Sequence, residues 1–309
     1  MAVKSKHSSR GTHNKTLIVI SLILVVVLVS SLAVYVLVVD NTGGSIHVKS
    51  EVELRRAIDD VKFGESATII LDRDIALIGT LIIPVGKDIT LKSNGGAEFF
   101  RLLGPADNAV LGVEGGGVLR LDGIIVTHEN GVYGSGVGVG TGATLILYDG
   151  EISNNNVATD RYNGGIGGGV SNAGIFEMFG GVISGNIGSS GGGVCNSGTF
   201  NMFGGTISGN IAVYPYRVNS HGPGGGGIYN WGSISMSGGI ISGNMADSCG
   251  GGVYLNGGSF EMYGGVISGN TAMNAGGVYH NWGAFNVSGG EISGNTADLN
   301  KDVYNYNLP

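Results

Sequence analysis

Twenty-three acidic side chains are spread along this 309-residue chain, and polysaccharide cleavage would need two of them close together. Glycosidases place two carboxyl groups roughly 5–9.5 Å apart. Glu177 and Glu261 hold the same place in copies of a repeat three copies apart, about 14 Å if copies stack at ~4.8 Å. They cannot work as a pair. For Asp149 and Glu151 the equivalent positions of the next copy are Gly180 and Val182, so no acidic cluster builds up there. The local pairs His128-Glu129, Asp72/Asp74 and Asp298/Asp302 read as solvated loop charges. The expectation is a protein that is not an enzyme, with a surface polysaccharide lyase or hydrolase as the alternative.

Cofactor and metal chemistry fare no better. Gly134-Ser-Gly136-Val-Gly138 superficially resembles a dinucleotide loop but has no βαβ unit around it. Gly86-Lys87 is followed by Asp88 rather than Ser or Thr, so it is not a phosphate loop, and the glycine runs lack the Asp of calcium-binding nonapeptide repeats. No cofactor and no metal site is expected. The two cysteines, Cys195 and Cys249, belong to copies two apart, ~9.6 Å of stacking and beyond the ~7 Å Cα limit for a bridge. Both are expected as thiols. Asn286-Val287-Ser288 matches a glycosylation sequon, but in mid-strand.

Recognition is better served. Two long insertions, 155–166 and 211–223, enter between one repeat and the next. They carry Arg161, Tyr162, Tyr214, Tyr216, Arg217 and His221, with Trp231 on the following copy. Aromatic faces beside Arg and polar groups suit sugar or peptide contacts, and such residues often sit on loops carried by a rigid scaffold. These seven form the candidate ligand-binding set.

The scaffold is a repeat. GGGVSNAGIFEMFGGVISGN (167–186) returns as GGGVCNSGTFNMFGGTISGN (191–210), GGGIYNWGSISMSGGIISGN (225–244), GGGVYLNGGSFEMYGGVISGN (250–270) and AGGVYHNWGAFNVSGGEISGN (275–295), after a degraded copy at 138–155. The Ile of the Ile-Ser phrase falls at 152, 183, 207, 241, 267 and 292, so the shortest step is 24 residues and the excess is insertion. Periods of 20–50 residues mark solenoids or propellers. Alternation as in Phe176-Glu177-Met178 means strands. Each copy offers three short strands (Val-x-Asn, Phe-x-Met, Val-Ile-Ser) with glycines at three corners, and can bury its inward residues only by stacking on its neighbours.

The fold expected is therefore all-β, a right-handed single-stranded parallel β-helix of three sides and about ten rungs. Its inward columns are Val170, Val194, Ile228, Val253, Val278; Phe176, Phe200, Ile234, Phe260, Phe285; Met178, Met202, Met236, Met262, Val287; and Ile183, Ile207, Ile241, Ile267, Ile292. Asn186, Asn210, Asn244, Asn270 and Asn295 share one corner, where stacked amides would form a ladder. Of the 61 glycines, 47 lie in 131–309, which makes the excess a record of turns. Residues 65–130 read as earlier rungs without the consensus. Before them, Ser50 and Glu53 have capping-box spacing, and Val52, Leu54, Ala57, Ile58 and Val61 can line one face of a helix closing the N-terminal end of the core.

From Leu17 to Val39 there are 23 residues without charge, Gly or Pro, enough to span a ~30 Å hydrocarbon core. Lys4, Lys6, Arg10 and Lys15 precede this segment and Asp40 follows it, which places the N-terminus in the cytoplasm and the rest outside. A cleaved signal peptide is the competing reading. The domains are then a basic cytoplasmic tail (1–16), a transmembrane helix (17–39), a linker with capping helix (40–64) and an extracellular β-helix (65–309) with regular repeats over 136–309. Beyond residue 39 there are 12 basic against 23 acidic residues, which excludes a nucleic-acid binder of the usual basic kind.

The GGGV/GGGI and ISGN phrases over about residues 65–309 resemble extracellular right-handed parallel β-helix proteins of the pectin-lyase-like class, and adhesin-like repeat proteins of microbial surfaces most of all. The phrases are also similar to the paired motifs of chlamydial polymorphic membrane proteins. That resemblance implies an extracellular domain for adhesion, which residues 17–39 would make part of a single-pass cell-membrane protein. The chain departs from it in having no autotransporter barrel, and no sortase-type tail after Tyr306-Asn307-Leu308-Pro309, so attachment rests on the N-terminal helix. Expected partners are the membrane and a glycan or surface-protein ligand. A third reading is a structural envelope protein that self-associates end to end through the last rung near Val303 and Tyr304, because an open solenoid end is an unpaired edge.

Overall fold

Alternating apolar residues placed at a fixed step can be buried only by strands lying over one another, and that is the arrangement found. The computed structural model describes residues 44–96, 98–157, 167–213 and 224–305. Its strands pair in parallel and in register from turn to turn, forming a β-solenoid. The column that begins at Ser66–Leu71 and continues through Asp88–Ser93, Val118–Thr127 and Thr144–Ser153 to Val278–Val287 contains nine strands, so there are about nine turns rather than ten. The overestimate comes from the short step. Successive turns of this column start at 118, 144 and 175 and then at 199 and 233, so several are well above the 24-residue minimum.

The expected inward columns are present, except that Val287, at the end of the Met column on the last turns, is exposed. Phe176 pairs with Phe200, Phe200 with Ile234, Ile234 with Phe260 and Phe260 with Phe285. The Val, Met and Ile columns run beside them. Phe176 and Phe200 stack with centroids 4.7 Å apart and 6° between planes, the geometry that one rung spacing imposes on identical inward rings.

The cross-section has a fourth short side that the three-strand reading lacks. Ile187–Gly188, Ile211–Ala212, Met245–Cys249, Thr271–Asn274 and Thr296–Leu299 form a separate five-stranded parallel sheet. Its inward residues are small, with Ala212, Ala246 and Ala272 packed together. Two-residue strands carry too little alternation to stand out in a sequence.

At the corner before this side, the asparagines form the expected ladder. Asn210 Oδ1 accepts from both the backbone N–H and Nδ2 of Asn186, at 3.0 and 2.9 Å, and Asn210 Nδ2 donates back to Ile183 O at 2.9 Å. The same pattern links Asn244, Asn270 and Asn295. Asn155 opens the ladder and Asp302 Oδ1 closes it, accepting twice from Asn295 at 3.0 Å. A second ladder, Asn172 to Asn196 to Asn230, has 2.7 Å links.

Glycine is required where the turns close. Gly205 has φ +81°, and a Cβ on Gly192, whose φ is ordinary, would lie 2.5 Å from the backbone N and O of Ile211. The first is a left-handed corner and the second a close approach of backbones.

The N-terminal end is covered by helix α1, Glu51–Asp60, with Ser50 as N-cap accepting from Glu53 N and with Leu54, Ala57 and Ile58 buried. Val61 is buried as expected, but Val52 is exposed. It lies two residues before Leu54, about 200° around the helix at 100° per residue, and so faces away from the core. Lys87 Nζ donates to Ile58 O and Asp59 O at 2.8 and 2.9 Å, which places its charge at the negative end of the helix. The expected membrane helix over 17–39 lies outside the described residues. Among the described residues no helix is long and apolar enough to cross a membrane.

Candidate functional site

In each Val-x-Asn strand the Val and the Asn point inward, so the middle residue faces out. Along the solenoid that outward column reads Ile82, Gly112, Gly138, Ser171, Cys195, Tyr229, Tyr254, Tyr279, Tyr304. Four consecutive small residues are followed by four tyrosines. The adjoining column, just beyond the Asn, reads Gly140, Ala173, Ser197 and then Trp231. Where both columns lack bulk the wall is recessed into an open groove of about 340 Å³, lined by these small residues and by Trp231.

The aromatic side of this step is a stack. Tyr229, Tyr254, Tyr279 and Tyr304 follow one another at centroid spacings of 5.1, 5.1 and 4.7 Å with planes within 21° of parallel. Rings stacked along the axis spend their faces on each other and turn their edges outward. Trp231 breaks that order. It meets Tyr229 edge-on at 4.7 Å and 88° and is 44% exposed, so indole surface is available at the groove's end. The hydroxyls of Ser171, which accepts from Gly167 N, and Ser197 add polar character.

Cys195 and Cys249 pack with Tyr229 and Tyr254 in one buried cluster and form no disulfide, as expected. Burial pushes the Cys195 thiol up to about 12 and that of Cys249 to about 11. Neither is a nucleophile at neutral pH, since the thiolate is the reactive form.

The remaining candidate chemistry is dispersed. Glu177 and Glu261 are three turns apart in one column, with Asn201 and Ser235 between them. His128 is buried, with Nδ1 2.8 Å from Asn155 Oδ1 and Nε2 near Pro105 O and Asn108 O, so it caps the asparagine ladder. Asp302 caps the other end, while Asp298 is exposed. Asp72 bonds His47 and Asn94, and the His47 hydrogen bond holds its carboxyl below the usual range. Asp74 accepts from Arg101 N.

One expectation needs correcting. Asp149 is the backbone partner of Asp122 on the preceding turn, beside a register shift, so two acids do occupy neighbouring turns on that side, whereas the turn that follows has Gly180 and Val182. Lys92 Nζ lies 2.7 Å from Asp122, and Asp149 Oδ1 accepts from Gly150 N. The pair is bound up in these contacts and does not line the groove. Among the described residues no cluster of three metal-ligating side chains occurs.

Of the seven sequence-selected residues, Trp231 lies on the groove. Arg161, Tyr162, Tyr214, Tyr216, Arg217 and His221 lie outside the described residues. The chain re-enters the described structure after their segments at Gly167 and Gly224, and a Cβ on Gly167 would sit 2.7 Å from Cys195 N, so one re-entry point is beside the groove floor. The groove itself escaped sequence reading, although its signal was there: Gly138, Ser171 and Cys195 stand where later copies have Tyr. Comparisons with family models, curated proteins and solved structures gave no match to this chain.

Proposed function

We propose that this chain is a single-pass, cell-surface binding protein. Residues 17–39 anchor it with the N-terminus in the cytoplasm, and the solenoid wall takes a glycan or an extended surface-protein segment. The observation that carries this reading is the groove over Gly138, Ser171 and Cys195 ending at Trp231, because an exposed indole beside an uncharged recess with hydroxyls suits a sugar ring or an apolar side chain. The segments bearing Arg161, Tyr162, Tyr214, Tyr216, Arg217 and His221 would supply further contacts. The test is a glycan and cell-surface-protein binding screen of the detergent-solubilised full chain against Trp231→Ala and Ser197→Trp, the second of which places bulk in the groove. Loss of the same ligands in both variants supports the site. Binding unchanged in both sinks it, and release of cleaved polymer would replace binding with catalysis.

A second reading, self-association through the C-terminal end, is favoured by one asymmetry. The N-terminal end is covered by α1, whereas Val287, Leu299 and Val303 on the last described turn are exposed. Sedimentation velocity over a concentration series tests it: a concentration-dependent dimer abolished by Leu299→Lys supports it, and a concentration-independent monomer removes it.

A further inference from the structure

The capped end of the solenoid carries unusual apolar exposure. Val52 is 76% exposed, Phe63 79% and Ile78 91%, and these three lie around one end. Val52 is on the face of α1 turned away from the core. Phe63 adjoins the first-turn corner, where Gly64 N donates to Gly86 O and the Phe63 ring covers Gly86. The Ile78 backbone N–H is held by Glu51 of α1. Edge strand Ile46–Val48, with Ile46 also exposed, belongs to the same end.

The exposed charges around these residues nearly balance, with Lys49, Arg56 and Lys62 against Glu53, Asp59, Asp60 and Glu65. That mixture neither attracts an anionic surface strongly nor repels one. What occupies the end is indicated by the chain ahead of it. Only six residues, 40–45, separate the uncharged 23-residue segment from Ile46, a reach from Val39 to Ile46 of at most about 25 Å at ~3.6 Å per residue.

We infer that the α1 end of the solenoid docks on the lipid bilayer, with Val52, Phe63 and Ile78 entering the interfacial layer. The inference rests on the anchor reading of 17–39. An amphipathic face buried ~5–10 Å into the headgroup boundary gains from apolar area, and Phe favours that depth. The groove would then face sideways, parallel to the membrane.

The test uses the full chain in phosphatidylcholine vesicles with a nitroxide attached at Val52→Cys, Phe63→Cys, Ile78→Cys or, as a control on a later turn, at Met273→Cys, which is exposed on the side wall. The native thiols are buried, so labelling goes to the introduced cysteine. The expected result is co-flotation with the vesicles, and a nitroxide at 52, 63 and 78 several-fold more accessible to oxygen than to a water-soluble nickel chelate, relative to position 273. Co-flotation with all four positions equally open to the chelate overturns the docking and leaves the anchor standing. Failure to float overturns the anchor and the docking with it. Protection at 52, 63 and 78 from both reagents would mean that protein covers the patch, and overturns the lipid assignment.

Discussion

The turns before residue 130 and those after 167 share one inward column, in which Ile89, Leu119 and Leu145 lead into Phe176, Phe200 and Phe260. Their outer walls are held in different ways. The early turns use ion pairs between neighbours, Asp88 with Arg120 and Lys92 with Asp122. The later turns use buried amide ladders and stacked rings. A shared core therefore makes the solenoid, while the repeats add a neutral, continuous polar seam that does not weaken in salt.

If the core is common to both regions, truncating it should cost about the same in each. Phe200→Ala is expected to destabilise by about 4 kcal/mol and Leu119→Ala by about 3 kcal/mol, the range for large buried side chains, read from urea unfolding of the full chain. A Leu119→Ala cost near zero would break the comparison, because the early turns would then not depend on this column.

The ladder comes next. Asn210→Ala removes the acceptor for Asn186 N and Nδ2 and the donor to Ile183 O and Asn244 Oδ1, all in the interior, and of these four groups Asn244 Oδ1 alone keeps a bond to residue 210, from its backbone N–H. At about 1 kcal/mol for each unpaired buried group the loss is about 3 kcal/mol. Amide exchange should quicken in the turns on either side of Asn210 while the turns before residue 130 stay protected. Equal quickening throughout would show that the seam is not a local device.

These two devices differ in how plainly the sequence displays them. Phe, Met, Ile and the corner Asn recur in identical phrases, so every column could be assigned from spacing alone. The Asn172, Asn196 and Asn230 ladder recurs as well, and alternation puts each Asn on the inward face with the Val or Ile two residues before it, but nothing in a single copy shows that its partner is the Asn of the next turn. The fourth side hides in Asn-x-Ala phrases too short for a period. The groove is a difference between copies, Gly138, Ser171 and Cys195 against Tyr229 and Tyr254, and a consensus averages such differences away. The Asp122–Asp149 pairing depends on a register shift within Thr144–Ser153, which has no sequence mark.

The later turns also carry a weakness that the early ones lack. Burial raises the Cys195 and Cys249 thiols from about 9.0 to about 12 and about 11, and Tyr229 from about 10 to about 12. Below pH 9 these groups are protonated both folded and unfolded, and their contribution is complete. Between pH 9 and about 12 the unfolded chain releases protons that the folded one retains, so stability falls as pH rises. The thermal midpoint should decline across that window, and Cys195→Val with Cys249→Val should flatten part of the decline. An unchanged slope in the double variant would place the alkaline sensitivity elsewhere.

The smallest effect belongs to the ion pairs of the early turns. Lys92 and Asp122 are partly exposed and 2.7 Å apart, a setting in which coupling is typically under about 1 kcal/mol. The neighbouring Asp149 makes the two halves of the pair unequal. Asp122→Asn gives up the attraction to Lys92 but also removes the like charge facing Asp149, so its net cost should be near zero. Lys92→Met leaves two carboxylates opposed across adjacent strands, an unfavourable pairing, and should cost more, about 0.5–1 kcal/mol, shrinking as salt is added. A double-mutant cycle in low and high salt measures both. Equal costs for the two single variants would mean that Asp149 exerts no field on Asp122, and the early wall would then be a set of independent pairs rather than a linked row of charges.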